Sequence, residues 1–326
     1  MRLRRTHRDG QRRLVLVAGI GRSGTSACTG ALAALGFAVP QPEVQADETN
    51  PRGFGEPQWV VDFHTELLRK VRVSNFDGRP AAWQLTEQLA GKPAIAERLG
   101  DWLRGQLDDH PRLVVKDPRT VWLLPLWLRV ARELDVDPVF VTMLRPPPQV
   151  VASARRWYGE GRHEASRVAG WVNVMTHLER ETRGSARTFV RYDDLLADWR
   201  DVLGAVEAEL ELGLDLTSRE ATGRIDAFLD PGLRREQVSW DDVEMPAGLR
   251  AVAERAWALL SAPSVGDRAA ELDALRADYD RLYADAELIA QWSIAAAAAD
   301  ARAKAKAKAK ARSGVAAKPP APETAS

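Results

Sequence analysis

Leu14-Val15-Leu16-Val17-Ala18-Gly19-Ile20-Gly21-Arg22-Ser23-Gly24-Thr25-Ser26 is the stretch on which the fold turns. Leu14–Val17 is short, uninterrupted and rich in β-branched residues, which predicts a buried strand. The glycines that follow permit a tight turn, and an apolar helix is expected from about Ser23 to Leu35, stopped by Gly36. A Gly-rich turn between a buried strand and a helix N-terminus is the setting in which backbone N–H groups cradle phosphate. The spacing is one residue away from the triphosphate loop G-x-x-x-x-G-K-[ST]: Gly19, Gly24 and Ser26 fit, but Thr25 occupies the lysine position. In that loop the lysine reaches the β- and γ-phosphates and the next hydroxyl holds magnesium. Its loss argues against a triphosphate and for a shorter anion that needs no metal. A merely tight strand–helix turn is the plain alternative. A dinucleotide G-x-G-x-x-G pattern fits less well, since its third position is Thr25 or Ser26.

The same grammar recurs along the chain. Leu113-Val114-Val115 reads as a second buried strand opening into Lys116-Asp117-Pro118-Arg119, with an apolar helix start at Pro125-Leu126-Trp127. A third strand, Val139–Leu144, runs into Arg145-Pro146-Pro147-Pro148 and a helix that starts near Gln149 and ends at about Tyr158. A fourth, Arg187–Arg191, opens into a helix near Asp193, with Asp193 or Asp194 as the expected N-cap. Helical patterns fill about 57–72 and 93–109, and only helices are expected after the fourth strand. Residues 37–56, rich in Pro, Gly and acid, read as a long functional loop. Strands alternating with helices predict a three-layer α/β/α domain around a central parallel sheet, with ligands at the C-terminal strand ends.

Composition narrows the class. The 326 residues are 45% apolar and 28% charged, enough for a large core and unlike a disordered, collagen-like or disulfide-scaffold chain. No stretch approaches the roughly 20 apolar residues of a membrane span. The lone Cys28 has no disulfide partner in the chain, so a reducing cytoplasm is the expected compartment. The apolar run Leu14–Ala18 breaks too early for a secretory signal. The formal net charge of 0 is unevenly spread: the first 13 residues hold six arginines and one aspartate, a balance of +5. From Ile294 onward seven basic residues face two acidic ones, again +5, which leaves the body, 14–293, at −10. The expected organisation is a basic arm at 1–13, one α/β domain at 14–293 and a low-complexity Ala/Lys/Pro-rich tail at 294–326. Charges at every second position of the tail fall all round a helix, so a solvated, disordered or transiently helical segment is expected. Weak attachment to nucleic acid, anionic lipid or an acidic partner is the alternative for the tail, and no specific nucleic acid is expected for an acidic body.

Four strand ends carry candidate chemistry. Arg145 and Ser153 are eight residues apart, with the arginine at a strand end and the serine about one turn into a helix. They can converge on one phosphate, with arginine as bidentate donor, or serve an ion pair and a helix carbonyl separately. Lys116 is one of three lysines in the body, beside Lys70 and Lys92. At a buried strand end it must face an anion or a carboxylate such as Asp117.

The Lys-less R-S-G-T-S loop (Arg22–Ser26), followed by R-x-P-x-x-x-x-x-S (Arg145 to Ser153), resembles the sulfotransferase family. Arg191-Tyr192-Asp193-Asp194-Leu195-Leu196 is similar to that family's Tyr-acid-Asp-Leu element, and Lys116–Arg119 to the K-D-P-R run of bacterial members. The resemblance spans roughly 14–200. It implies a P-loop-like α/β fold and transfer of the sulfuryl group of 3′-phosphoadenosine 5′-phosphosulfate (PAPS) to an acceptor hydroxyl of a carbohydrate, glycolipid or small metabolite. It further implies that Arg22, Ser23, Gly24, Thr25 and Ser26 grip the 5′-phosphosulfate, Arg145 and Ser153 the 3′-phosphate, and that Tyr192 lies near the adenine. No metal is expected. Two positions depart from the common cytosolic members: Arg22 stands where they have lysine, as in carbohydrate sulfotransferases, and Pro118 where they have a catalytic histidine. Gly232-Leu233-Arg234-Arg235 is a weak candidate for the late basic cofactor segment. With Pro118 in the histidine position the general base must lie elsewhere. Glu56, after the turn Asn50–Gly55, is the candidate, with Glu48 and His64 in reserve and Arg22 and Lys116 as the catalytic cations. An acid simply favouring a helix start is the alternative for Glu56. Trp59, Trp83 and Trp102 suit either an acceptor platform or the core. A kinase or nucleotidase with a degenerate phosphate loop is the rival enzyme class, and a non-catalytic nucleotide-binding module the third reading.

Overall fold

The computed structural model describes residues 12–315, apart from 160, 162, 231 and 233–237. The chain divides into two compact units, Met1–Tyr279 and Asp280–Ser326. The first is built on four strands, β1 (Arg13–Ala18), β2 (Arg112–Lys116), β3 (Val139–Leu144) and β4 (Arg187–Arg191), in the spatial order β2-β1-β3-β4. Every pairing is parallel, as the alternation of strands and helices in the sequence predicts. The helices between them are α1 (Thr25–Ala34), α2 (Gln58–Lys70), α3 (Ala82–Ala90), α4 (Pro93–Asp109), α5 (Leu124–Glu133), α6 (Pro147–Tyr158) and α7 (Glu164–Glu181). After β4 only helices follow: α8 (Tyr192–Ala197), α9 (Trp199–Leu210), α10 (Arg219–Phe228), α11 (Ala247–Leu260) and α12 (Ala269–Val315), with short 3₁₀ turns between some of them.

The strands read as unbroken apolar runs because both faces of the sheet are covered. Val15, Val17, Val114, Val139, Val141 and Met143 face one cluster with α1 and the helices after β4. The alternate residues Leu14, Leu16, Leu113, Val115, Phe140 and Leu144 are equally buried but belong to the other face, where α4 packs on β2 and the 3₁₀ turn Pro118–Leu123 on β1. Register places the C-terminal strand ends side by side. Val17 pairs with Lys116, Ala18 with Thr142, and Leu144 with Arg191.

Several boundaries differ from the sequence expectation. Helix α1 begins at Thr25 rather than Ser23, because Gly24 is its N-cap in a left-handed conformation, φ 95°. The N-cap of α8 is Arg191, without a side-chain cap, so Asp193 and Asp194 lie in the first turn, not at the cap; there they complement the positive end of the helix. Helix α6 starts at Pro147, ahead of Gln149, where prolines tolerate the missing donor. Helix α3 was not expected at all. In the second unit, α12 runs as helix as far as Val315, through part of the tract expected to be solvated, disordered or transiently helical, in keeping with the high helix propensity of Ala, Lys and Arg.

Two glycines make opposite predictions for stability. A Cβ at Gly170 in α7 would lie 2.6 Å from the carbonyl oxygen of Phe76, whereas one at Gly105 in α4 meets nothing within 4 Å. Gly170→Ala is expected to destabilise by about 1–3 kcal/mol through overpacking against backbone. Gly105→Ala is expected to stabilise by up to about 1 kcal/mol through helix propensity. Urea midpoints of the two variants against the parent check the sign of each.

Candidate active site

The strand ends open on one cleft of about 350 Å³. Arg22, Gly24, Thr25, Ser26, Glu56, Lys116, Arg145 and Tyr192 all line it. Ser23 and Ser153 lie just behind: Ser23 is fully buried, with its amide bonded to the Ile20 carbonyl at 3.2 Å, and Ser153 is 4% exposed.

The loop and the end of β3 are tied together. Arg22 Nε donates to Ser153 Oγ at 3.1 Å, and Arg145 Nη1 donates to the Arg22 carbonyl at 3.2 Å. Arg22 sits at φ 74°, the left-handed region that a side-chain-bearing residue rarely adopts, and these two bonds hold it there. The Arg145 guanidinium lies 5.0 Å from the centre of the Tyr192 ring. That ring packs so closely on the loop that a Cβ at Gly24 would come within 2.1 Å of Tyr192 Cδ2. Glycine at 24 therefore answers both the positive φ and the tyrosine. Among the described residues, the amides of Gly24, Thr25 and Ser26 donate to no protein acceptor, the usual orphan donors of a helix start.

Lys116, only 3% exposed, places Nζ 3.2 Å from Ser26 Oγ, 3.2 Å from the Phe54 carbonyl and 2.5 Å from Glu56 Oε1. Asn50 Nδ2 also donates to Ser26 Oγ, at 3.2 Å. Two donors thus occupy the acceptor side of the Ser26 hydroxyl and leave its own proton to give. Glu56 reaches the site because the loop doubles back: Val44 N bonds to the Glu56 carbonyl and Gln58 N to the Pro42 carbonyl, each at 2.8 Å.

Beside this pair, Asp117 is wholly buried. Its Oδ1 accepts from the backbone and Nη1 of Arg119 at 3.0 and 2.7 Å, and its Oδ2 from His64 Nδ1 at 2.7 Å. Trp127 Nε1 donates to His64 Nε2 at 2.9 Å, which puts the ring proton on Nδ1. His64 has both nitrogens engaged and no exposure, so it is a structural link and not a reserve base. Glu48 lies exposed on the loop and does not line the cleft.

Arg52, Asp47, Asn75, Arg119 and Phe228 also line the cleft. Arg119 belongs to the run singled out in the sequence; Asn75 and Phe228 carried no local signal, since they arrive from segments remote from any motif. Trp59, Trp83 and Trp102 do not line the cleft. Trp59 stacks on Trp102 at 4.7 Å, and Trp83 lies 4.4 Å beneath the Arg180 guanidinium, so the three pack helices together. Of the segment Gly232–Arg235, Leu233, Arg234 and Arg235 lie outside the described residues, and Gly232 does not line the cleft. No helix among the described residues is long and apolar enough to cross a membrane, and no group of three or more His, Cys, Asp or Glu side chains is placed to hold a metal ion.

No family model and no curated protein matches the chain. Solved structures similar to it include three sulfotransferases. The sulfotransferase domain of the Synechococcus PCC 7002 olefin synthase is 18% identical over 78% of this chain and 98% of that one, with a TM-score of 0.46. A sulfotransferase from Mycobacterium tuberculosis H37Rv is 17% identical over 76% of this chain and 77% of that one, TM-score 0.41. The sulfotransferase domain from the curacin biosynthetic pathway is 15% identical over 77% and 98%, TM-score 0.45.

The Asp117 network gives a pH prediction. Burial works to raise the carboxyl, but the His64 hydrogen bond, with the Arg119 charge and amide, outweighs it and holds Asp117 below its ordinary value. A folded-state pKa below the unfolded value of about 3.9 adds stability above that pH and loses it as pH falls through the folded value. Asp117→Asn is therefore expected to be less stable than the parent at pH 7, with the gap narrowing towards pH 3. Urea titrations at the two pH values check it; a gap that stays constant would detach the effect from the charge.

Proposed function

We propose that this chain is a sulfotransferase that moves the sulfuryl group of PAPS to an acceptor hydroxyl by in-line displacement. The observation that carries the reading is the Lys116 ammonium at Ser26 Oγ. In a triphosphate loop the hydroxyl at this position holds magnesium and a lysine one residue earlier meets the phosphates. Here the preceding residue is Thr25, and the cation beside the hydroxyl is a lysine delivered by the neighbouring strand. Such a site suits a short anion neutralised by protein groups. Further support comes from the link between Arg22 and Ser153, which brings together the two segments whose spacing resembles the family's donor grip.

In this reading the free amides of Gly24, Thr25 and Ser26 and the Ser26 hydroxyl hold the 5′-phosphosulfate. Arg145 and Ser153 take the 3′-phosphate, and Tyr192 lies near the adenine. Ser23 supports the loop from beneath. The acceptor oxygen attacks sulfur and its bond to the bridging oxygen of the 5′-phosphate breaks. Negative charge grows on that oxygen, and Lys116 and Arg22 are the fixed cations that stabilise it. Lys116 is paired with Glu56. Its transfer to the donor leaves the Glu56 carboxylate to take the acceptor's proton.

Adenosine 3′,5′-bisphosphate at about 100 times its dissociation constant should add about 2.7 kcal/mol of stability, read as a rise in Tm. ATP with magnesium should give no comparable shift, and Arg145→Ala should abolish the bisphosphate effect. A shift with ATP and magnesium alone would overturn the reading in favour of a kinase or nucleotidase. Where turnover is measured, Glu56→Gln should lower kcat by roughly 100-fold or more while the bisphosphate shift persists. Unchanged kcat would remove Glu56 as the base.

A further inference from the structure

We infer that Arg119 is an anion-recognition residue on the acceptor side of the cleft, so that the acceptor is a hydroxyl compound that also bears an acidic group such as a carboxylate. The inference rests on the sulfuryl-transfer reading above and adds the chemical class of the acceptor to it.

Five cationic side chains line the cleft among the described residues: Arg22, Arg52, Lys116, Arg119 and Arg145. Arg22 and Arg145 join the phosphate loop to the end of β3, and Lys116 lies against Ser26, so all three belong to the donor grip. Arg52 is committed to the Phe228 carbonyl and to the Asp230 carboxylate, 3.5 Å away. Arg119 is left over. Its Nη1 is bonded to Asp117, while Nε and Nη2 make no hydrogen bond to any described residue. Nε–H and Nη2–H form one edge of the guanidinium, the fork that meets a carboxylate or a phosphate with two parallel bonds.

The fork is held in place from below. Asp117 Oδ1 accepts from both the backbone and the side chain of Arg119, and Asp117 Oδ2 accepts from His64, whose other ring nitrogen accepts from Trp127. The Arg119 side chain is 25% exposed, whereas Asp117 and His64 are wholly enclosed. A partner needed only to neutralise Asp117 would leave a flexible head in water. This arrangement instead fixes one edge of a rigid group at the cleft wall and leaves the other for a ligand, and little freedom is lost when the ligand binds. The neighbours fit an acceptor. Glu56 Oε2 lies 3.9 Å from Arg119 Nη1, which places the proposed base beside the anion site. Asn75 lines the same cleft, and its buried Oδ1 has no hydrogen-bond partner among the described residues.

The test uses the full chain saturated with adenosine 3′,5′-bisphosphate, so that the donor grip is filled. Two probes that differ only in the acidic group, p-nitrophenyl β-D-glucuronide and p-nitrophenyl β-D-glucoside, are then titrated calorimetrically. The glucuronide is expected to bind roughly tenfold or more tighter than the glucoside, the scale of one bidentate charge-assisted contact. Arg119→Gln should erase that advantage with bisphosphate affinity unchanged. Arg119→Lys, which keeps a cation beside Asp117, should retain only part of it and guards against a folding defect. No preference for the glucuronide in the parent protein, whether both probes bind or neither, overturns the inference. So does a preference that survives in Arg119→Gln. Failure of the parent to bind the bisphosphate appears in the first step and overturns the donor reading instead.

Discussion

An ammonium group buried at the end of a strand is the constraint from which the site follows. Lys116 is 3% exposed, and a cation in that position is tolerable only if it is paired and hydrogen-bonded. None of those partners belongs to β2. They come from three places: the Ser26 hydroxyl at the start of α1, the Phe54 carbonyl, and the Glu56 carboxylate. Phe54 and Glu56 lie on the long segment between α1 and α2, so that segment must fold back over the strand ends. The bonds from Val44 to Glu56 and from Gln58 to Pro42 are the hinge of that return. A loop rich in Pro, Gly and acid thereby becomes one wall of the cleft.

The second organising fact is strand order. β1 lies between β2 and β3, so the turn after it receives Lys116 from one side and Arg145 from the other. Each neighbour performs a different task on the same few residues. Lys116 donates to the Ser26 hydroxyl, and Arg145 fixes the Arg22 carbonyl and leans on Tyr192. Arg22 is held in a backbone conformation of the kind that costs on the order of 1 kcal/mol or more and persists where the surroundings over-determine it. Its neighbours do so: Ser153 holds the side chain and Arg145 the carbonyl.

What was legible in the sequence was whatever a local pattern can encode. The four strands, the Gly-rich turn, and Lys116, Arg145 and Tyr192 at strand ends all follow from short apolar runs and their punctuation. Parallel pairing then brings strand ends together without further information. The pairs that build the site were not legible in the same way. Lys116 meets Glu56 across 60 residues and His64 meets Asp117 across 53, and no periodicity records such a distance. His64 looked like a titratable group in reserve; only its burial between Trp127 and Asp117 shows that both nitrogens are used. Helix α3 escaped because it is only nine residues long and follows a Gly-Arg-Pro turn. The cap expected at Asp193 or Asp194 lies instead at Arg191, since the strand and α8 join without a turn residue between them.

The charge balance then takes on meaning. The sequence between 14 and 293 carries a formal −10, yet the cleft is lined by five cationic side chains against the two carboxylates Asp47 and Glu56. The two scales act at different distances. The net charge is felt beyond the surface and is screened within about 8 Å at physiological salt, so it slows the approach of an anion without deciding its affinity. Inside the cleft the cations sit on rigid partners in a low-dielectric setting, where fixed charges count for more. One of them is already matched, because Lys116 pairs with Glu56. Under the proposed function an anion at Lys116 competes with the Glu56 carboxylate, the group assigned there as the base. A single ion pair thus sets the charge balance at the strand end and, in the proposed reaction, supplies both the cation and the base.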